Sequence, residues 1–115
     1  MKTYSGSCHC QAITFEVDTD LEELLTCDCS ICKKKNAVML KVHESQLRIL
    51  SGHDELSTYT WHTNTAQHHF CSVCGIYPFH RKRVTPDHYS VNVYCLDDID
   101  LSAVPVRATD GIGMD

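Results

Sequence analysis

The sequence has no run of roughly 20 apolar residues, the length that a membrane-spanning helix requires. Its first ten residues, MKTYSGSCHC, contain one lysine and no apolar core, so no secretory signal peptide is predicted. No internal repeat and no linker divides the 115 residues. We therefore expect a single domain over residues 1–115, located in the cytoplasm.

An excess of positive charge is also missing. The formal net charge is −5, and the only basic runs are KKK at 33–35 and HRKR at 80–83. A protein that neutralises the phosphates of nucleic acid normally presents a basic surface. Neither nucleic acid nor a membrane is therefore expected as a partner.

The sequence lacks the alternation of strand and helix patterns that marks a parallel α/β fold. Seven short segments instead have the composition or alternation of strands: 11–17, 36–42, 46–50, 56–62, 65–71, 75–83 and 88–96. Residues 18–25 are predicted to form one helical turn or a loop, and residues 97–115 an extended edge. Pro78 within a strand pattern suggests an edge strand or a bulge. The predicted class is mainly β, with small sheets joined by metal ions.

Cysteine, in contrast, is abundant, with eight in 115 residues. Such a content fits either a secreted protein with disulfides or an intracellular metal protein. Seven of the eight lie in three short clusters, whereas disulfide frameworks usually place their cysteines far apart to join distant loops. Together with the missing signal peptide, this clustering favours metal binding.

Two of the clusters are two-residue half-sites, Cys8/Cys10 and Cys71/Cys74. Gly75 follows the second pair and can adopt the left-handed conformation that ends such a turn. Joined together, the half-sites give the four thiolates of a closed zinc site. In the alternative arrangement, one ion takes four of the seven cysteines and leaves three free thiols, which would oxidise easily.

The third cluster, Cys27, Cys29 and Cys32, supplies three thiolates without a local fourth ligand. A catalytic zinc often has three protein ligands and one open position, and we favour that arrangement here. Side chains that could instead complete the site are His9, His68, His69 and Cys95. The alternative roles are structural: His69 as a solvent-facing strand residue or a donor to a ligand, and Cys95 as a small apolar residue.

Four stretches in this order, GSCHCQAITFEV, CDCSICKKKNA, HHFCSVCGIYPFHRKR and YSVNVYCLDDID, resemble the family of glutathione-dependent formaldehyde-activating enzymes. That family also includes centromere protein V. The resemblance implies an Mss4-like β fold with two zinc ions per chain. It implies a structural zinc bound by Cys8, Cys10, Cys71 and Cys74. It also implies a catalytic zinc bound by Cys27, Cys29 and Cys32.

The family's reaction joins formaldehyde to glutathione and is classed as a carbon–sulfur lyase activity. The resemblance therefore implies an aldehyde and a small thiol such as glutathione as partners. Lys33, Lys34, Lys35 and Arg81 could attract the carboxylates of such a thiol. His69 and His80 are candidate general bases.

Two other functions fit the same residues. One is a non-catalytic binding or scaffold module, in which both zinc ions are structural and His68, His69 or Cys95 completes the second site. The other is a redox or zinc-storage protein, in which Cys27 and Cys32 oxidise reversibly.

Overall fold

The computed structural model describes residues 1–61, 64–83 and 85–109. In these ranges, ten strands and one short α-helix follow each other. The strands are β1 (Lys2–Ser7), β2 (Thr14–Thr19), β3 (Leu24–Cys27), β4 (Met39–His43), β5 (Leu47–Ser51), β6 (Leu56–Tyr59), β7 (Gln67–Cys71), β8 (Phe79–Arg81), β9 (His88–Asn92) and β10 (Val106–Thr109). The helix α1 is Ser30–Lys35. Single 3₁₀ turns occupy Glu44–Gln46, His53–Glu55 and Val93–Cys95.

Three strands form a small antiparallel sheet in the order β1-β2-β5. In β2 the side chains alternate between buried and half-buried, because one face of this sheet contacts the core. Phe15 and Val17 lie on the buried face and are inaccessible to solvent, as is Ile13 just before the strand. The alternation predicted for residues 11–17 is thus confirmed, although the strand itself begins at Thr14.

The other seven strands form one sheet in the order β10-β3-β4-β9-β8-β7-β6. Its pairs are antiparallel except β10 with β3, which run parallel. One face of this sheet packs on the small sheet, and the Phe15 ring meets the Phe79 ring edge to face at a centroid distance of 5.5 Å. The mainly β fold of sheets predicted from the sequence is confirmed.

The two faces of the large sheet differ in chemistry. Leu40, Phe79 and Val91 occupy neighbouring positions of β4, β8 and β9 and are buried in the core between the sheets. Because successive side chains of a strand point to opposite faces, the residues next to them form the outer face. A row of polar residues crosses that face in register: Lys41, Ser90, His80 and His68. The fold therefore presents a polar face on the side away from the core.

The sequence predictions differ from the structure at three places. Residues 18–25 form neither a helical turn nor one loop, because β2 runs to Thr19 and β3 begins at Leu24. Pro78 is not on an edge strand: it lies just before β8, which has strands on both sides, and its carbonyl accepts the Asn92 N–H at 2.8 Å. The strand pattern of 88–96 stops at Asn92, where a 3₁₀ turn follows.

The remaining predicted strands are present as β4 to β8, of which β5 has the predicted length but is shifted by one residue and the other four are shorter. Two parts of the predictions, residue 62 of the segment 56–62 and residues 110–115 of the tail, lie outside the described residues. The edge predicted for the tail is present as β10, which is the outermost strand of the large sheet. Within the described ranges, no helix has the length or hydropathy to cross a membrane.

Gly52 lies in close contact with the backbone of Ala12 and Ile13, which follow the first cysteine pair. Its φ is +87°, a conformation that residues with a Cβ atom rarely adopt. A Cβ atom at this position would lie 2.2 Å from the carbonyl oxygen of Ala12. Gly75 also has a positive φ of +79°, but open space surrounds it.

Candidate metal centres

The first cluster brings together cysteines from two segments that are distant in the sequence. Cys8 and Cys10 lie in the turn after β1, Cys71 ends β7, and Cys74 lies in the turn that follows. Their four sulfur atoms lie within 4.8 Å of one another. Two of the Sγ–Sγ distances, Cys8–Cys10 and Cys10–Cys71, are 3.7 Å.

These distances fit a tetrahedral zinc–thiolate site. Four sulfurs at about 2.3 Å from a central zinc ion are separated by about 3.8 Å. Backbone N–H groups also donate to the sulfurs, from Ile13 to Cys8 at 3.3 Å and from Val73 to Cys71 at 3.4 Å. Backbone hydrogen bonds from Cys10 and Ile76 lower the pKa of the Cys74 thiol to about 6. The peptide groups thus stabilise the thiolate form that binds a metal.

Both turns end in a left-handed residue that redirects the chain after the second cysteine. Gln11 has a φ of 66° and donates its N–H to the carbonyl of Cys8 at 3.2 Å. Gly75 takes the same role in the other turn and donates to the carbonyl of Cys71 at 2.8 Å. The four cysteines that the sequence paired into one site are therefore adjacent in space.

The second cluster is built where β3 leads into α1. Cys27 ends β3, Cys29 is the residue that caps the helix, and Cys32 lies in its first turn. The Cys29 sulfur accepts the backbone N–H of Cys32 at 3.4 Å, which fixes this sulfur against the first turn of the helix. The outer strand β10 supports this end of β3, since the Thr109 hydroxyl donates to the carbonyl of Thr26 at 2.7 Å.

The three sulfurs of this cluster also lie within 4.8 Å of one another. Burial, the side-chain hydrogen bond with Cys29 and the neighbouring charges of Cys27 and Cys29 raise the pKa of the Cys32 thiol well above its usual value. Three thiolates at such close range need a bound cation to offset their mutual repulsion. The donor set therefore fits a thiophilic metal such as zinc.

No further histidine, cysteine or carboxylate of the described residues joins the three cysteines. His9 is exposed in the turn of the first cluster, and Cys95 donates to the carbonyl of Tyr77 at 3.7 Å. His68 Nδ1 contacts Lys35 Nζ at 2.8 Å, and His69 Nδ1 contacts the Thr58 hydroxyl at 2.9 Å. None of these four candidates takes the fourth position within the described part of the chain.

The polar outer face of the large sheet lies next to this second cluster. Lys35, at the end of α1, places its Nζ 3.7 Å above the ring of Tyr77. The Tyr77 hydroxyl lies 2.7 Å from Nδ1 of His80 and donates to the carbonyl of Ser90 at 3.1 Å. The rings of His68 and His80 stack at 4.9 Å. Helix and sheet are thus joined by a network of polar side chains.

Burial determines the charge state of this network. It lowers the pKa of Lys35 to about 8 and that of His68 to about 4. It also lowers the pKa of His80 well below its usual value, so both histidines are neutral at pH 7. Burial raises the pKa of Tyr77 well above its usual value, so its hydroxyl keeps its proton.

The residues that the sequence offered for contacts with substrate lie in different places in the structure. Lys33 and Lys34 are exposed on α1. Arg81 belongs to the opposite, inner face of the sheet, where it donates to Glu44 at 3.0 Å and to the Tyr89 hydroxyl at 2.6 Å. His69 also contacts that inner face, since its ring lies 5.5 Å from that of Phe79. Of these, Lys35 is the one that contacts the polar network beside the second cluster.

Sequence reasoning did not single out Tyr77, Lys82 or Ser90. Lys82 follows β8, and its Nζ approaches the Ser90 hydroxyl at 3.4 Å. Ser90 fits the ordinary alternation of polar and apolar residues in β9, so the sequence carried no signal that singled it out. Only the pairing of β8 with β9 connects that serine to the cysteine cluster.

The comparison with known proteins agrees with this geometry. Residues 3–109 match the family of glutathione-dependent formaldehyde-activating enzymes, and this range contains both cysteine clusters. The chain belongs to this family. A solved structure of a Rhodobacter sphaeroides protein from a structural genomics programme is also similar, with a TM-score of 0.82 and 37% sequence identity. The similarity covers 90% of this chain and 99% of the other.

Family membership and the two sheets together establish the Mss4-like β fold that the motifs predicted. Both cysteine clusters of this formaldehyde-activating family member could hold a metal ion. One cluster has the four ligands of a closed site. The other has three ligands within the described residues and lies beside a polar face of the sheet.

Proposed function

We propose that this protein is a zinc-dependent enzyme of the carbon–sulfur lyase type, which joins an aldehyde such as formaldehyde to a thiol such as glutathione. In this proposal each chain holds two zinc ions. The Cys8/Cys10/Cys71/Cys74 cluster binds the structural ion, and Cys27, Cys29 and Cys32 bind the catalytic one. The observation that supports catalysis is the three-sulfur cluster without a fourth ligand among the described residues.

The reaction forms one carbon–sulfur bond and transfers one proton to the carbonyl oxygen. The thiol sulfur attacks the carbonyl carbon, a carbon–sulfur bond forms, and the carbonyl π electrons move to the oxygen. That oxygen takes up a proton to replace the one that the thiol has lost, so no oxidant or reductant is needed. Bound zinc supplies a Lewis acid with a free position, which favours the thiolate or polarises the carbonyl.

The side chains of this protein have separate roles in the proposal. The three cysteines hold the ion and leave one side of it open to substrate. His80 is neutral, lies on the outer face, and has its Nδ1 bonded to the Tyr77 hydroxyl. It is the better candidate of the two histidines for holding the thiol proton, because His69 packs on the inner face.

The proposal is tested by the exchange of ¹³C-formaldehyde with its glutathione adduct, measured by NMR exchange spectroscopy on the zinc-loaded protein. The wild-type protein is expected to accelerate this exchange above the uncatalysed rate. Cys27→Ser should abolish the acceleration, whereas Cys95→Ser, a buried cysteine of neither cluster, should keep it.

A cobalt-substituted sample gives an independent measurement of the open position. If glutathione binds at the metal through its sulfur, the cobalt absorption spectrum should change, and the change should be absent in Cys27→Ser. A protein that contains two metal ions but neither accelerates exchange nor changes its cobalt spectrum would contradict the proposal. A non-catalytic zinc-stabilised module would then be the better explanation.

A further inference from the structure

Two lysines lie beside the second cysteine cluster without a carboxylate partner. Lys35 contacts a histidine nitrogen and the Tyr77 ring, and Lys82 contacts the Ser90 hydroxyl. The ion pairs of the described residues involve arginines, histidines and the N-terminal amine, but no lysine. Within the described ranges, neither lysine therefore forms an ion pair with a carboxylate.

Lys35 and Lys82 are less exposed to water than Lys33 and Lys34. Burial lowers the pKa of both Lys35 and Lys82, and their strongest favourable interactions are with the three cysteines of the second cluster. Lys33 and Lys34 on the same helix are exposed. A partly buried ammonium group favours an anion beside it, and no carboxylate of the described residues is paired with either lysine.

The surrounding surface reinforces the positive charge. Lys41 is the cross-strand neighbour of Ser90 on the outer face, and its charge acts on Lys82. The polar row that continues across β8 and β7 consists of neutral histidines, not of carboxylates. This arrangement occurs in a chain whose net charge is −5, so it does not reflect a generally basic surface.

We propose that Lys35 and Lys82 form an anion subsite next to the second metal cluster, and that this subsite binds a carboxylate group of the substrate. This inference rests on the proposed function for the identity of the cluster as the reaction centre. The subsite selects a substrate that carries both a negative group and a sulfur or carbonyl a few bonds away. Lys35 and Lys82 are specificity-determining residues in this assignment.

The test compares two thiols of equal length that differ in charge, 3-mercaptopropionate and 3-mercaptopropionamide. Their dissociation constants are measured by calorimetry on the zinc-loaded protein, and their sulfur contact with the metal is followed on the cobalt-substituted protein. We expect the anionic thiol to bind at least about tenfold more tightly, since a hydrogen bond to a charged group is worth this much.

Lys35→Met and Lys82→Met should each remove most of that tenfold preference while leaving the affinity for the neutral thiol nearly unchanged. Lys34→Met is the matched control, because it removes the same charge from an exposed position of the same helix. It should keep the preference. Circular dichroism and the zinc content of each variant establish that it is folded and loaded.

The outcomes separate this inference from the proposed function. If both thiols change the cobalt spectrum with equal affinity, the anion subsite is refuted while the reaction centre stands. If neither thiol changes the spectrum but 3-mercaptopropionate still binds in a manner that depends on Lys35 and Lys82, the subsite stands and the reaction centre fails. If neither thiol binds at all, both are refuted.

Discussion

The two proposed zinc sites should contribute very differently to stability, and a serine substitution in each can measure the difference. In the first site the sulfurs of Cys10 and Cys71, which are 61 positions apart, lie 3.7 Å from each other. A metal ion that joins them closes a loop of about 60 residues. The entropy relation for cross-links gives about 4 kcal/mol for a loop of this length.

The second site joins only residues 27–32, and the same relation gives about 2 kcal/mol for a loop of six residues. Cys8→Ser is therefore expected to lower the free energy of unfolding by about 4 kcal/mol, and Cys27→Ser by about 2 kcal/mol. Since small domains are stable by only about 5–15 kcal/mol, the first loss removes a large share of the total.

Urea unfolding, followed by circular dichroism on protein of known zinc content, is the assay. Cys95→Ser is the control for exchanging a buried thiol for a hydroxyl, because Cys95 is 9% exposed and belongs to neither cluster. It should lose less than either metal-site variant. Equal losses for Cys8→Ser and Cys27→Ser, with one zinc retained in each, would refute the argument from loop length.

Three further predictions concern the fold. Gly52→Ala should be far more destabilising than Gly75→Ala in urea unfolding: both residues have positive φ, which costs an alanine about 1 kcal/mol, but only at Gly52 would the Cβ lie 2.2 Å from a backbone oxygen. Phe15→Ala should cost about 3–5 kcal/mol of unfolding free energy because Phe15 is fully buried, whereas Leu50→Ala, at a position 56% exposed, should change it little. Burial holds the folded-state pKa of His80 below its unfolded value near 6.5, so the unfolded state binds the proton more readily and stability should fall as pH drops below about 6.5. Unfolding measured at several pH values should give a weaker pH dependence of stability for His80→Gln than for the wild type. An unchanged slope would contradict this assignment.

The cysteine spacing alone predicted which residues meet in the first cluster. A C-x-C and a C-x-x-C-G each present two sulfurs to one side because of local backbone geometry. Two such half-sites together satisfy the coordination number of zinc. The same reasoning predicted the buried face of β2, since alternation with period two is a property of any half-buried strand.

Local patterns did not predict where strands end or which strand is internal. Pro78 suggested an edge strand, yet β8 has neighbours on both sides. The proline lies just before this strand, so its missing N–H does not interrupt the pairing of β8. The acidic segment 18–25 suggested a helical turn, yet pairing with β1 and β10 extends the flanking strands into it. Long-range pairing overrides such weak local preferences.

The sequence by itself determined the class of fold, the family and the three short cysteine clusters, because each of these depends on patterns of residues that lie close together in the chain. Only the tertiary structure decided which charged residues accompany the second cluster. Strand pairing placed Arg81 on the inner face with Glu44, and it placed Lys82 and Ser90 on the outer face beside Lys35. A shift of one residue along a strand reverses its face, so the surroundings of the cluster follow from the register between strands that are distant in sequence.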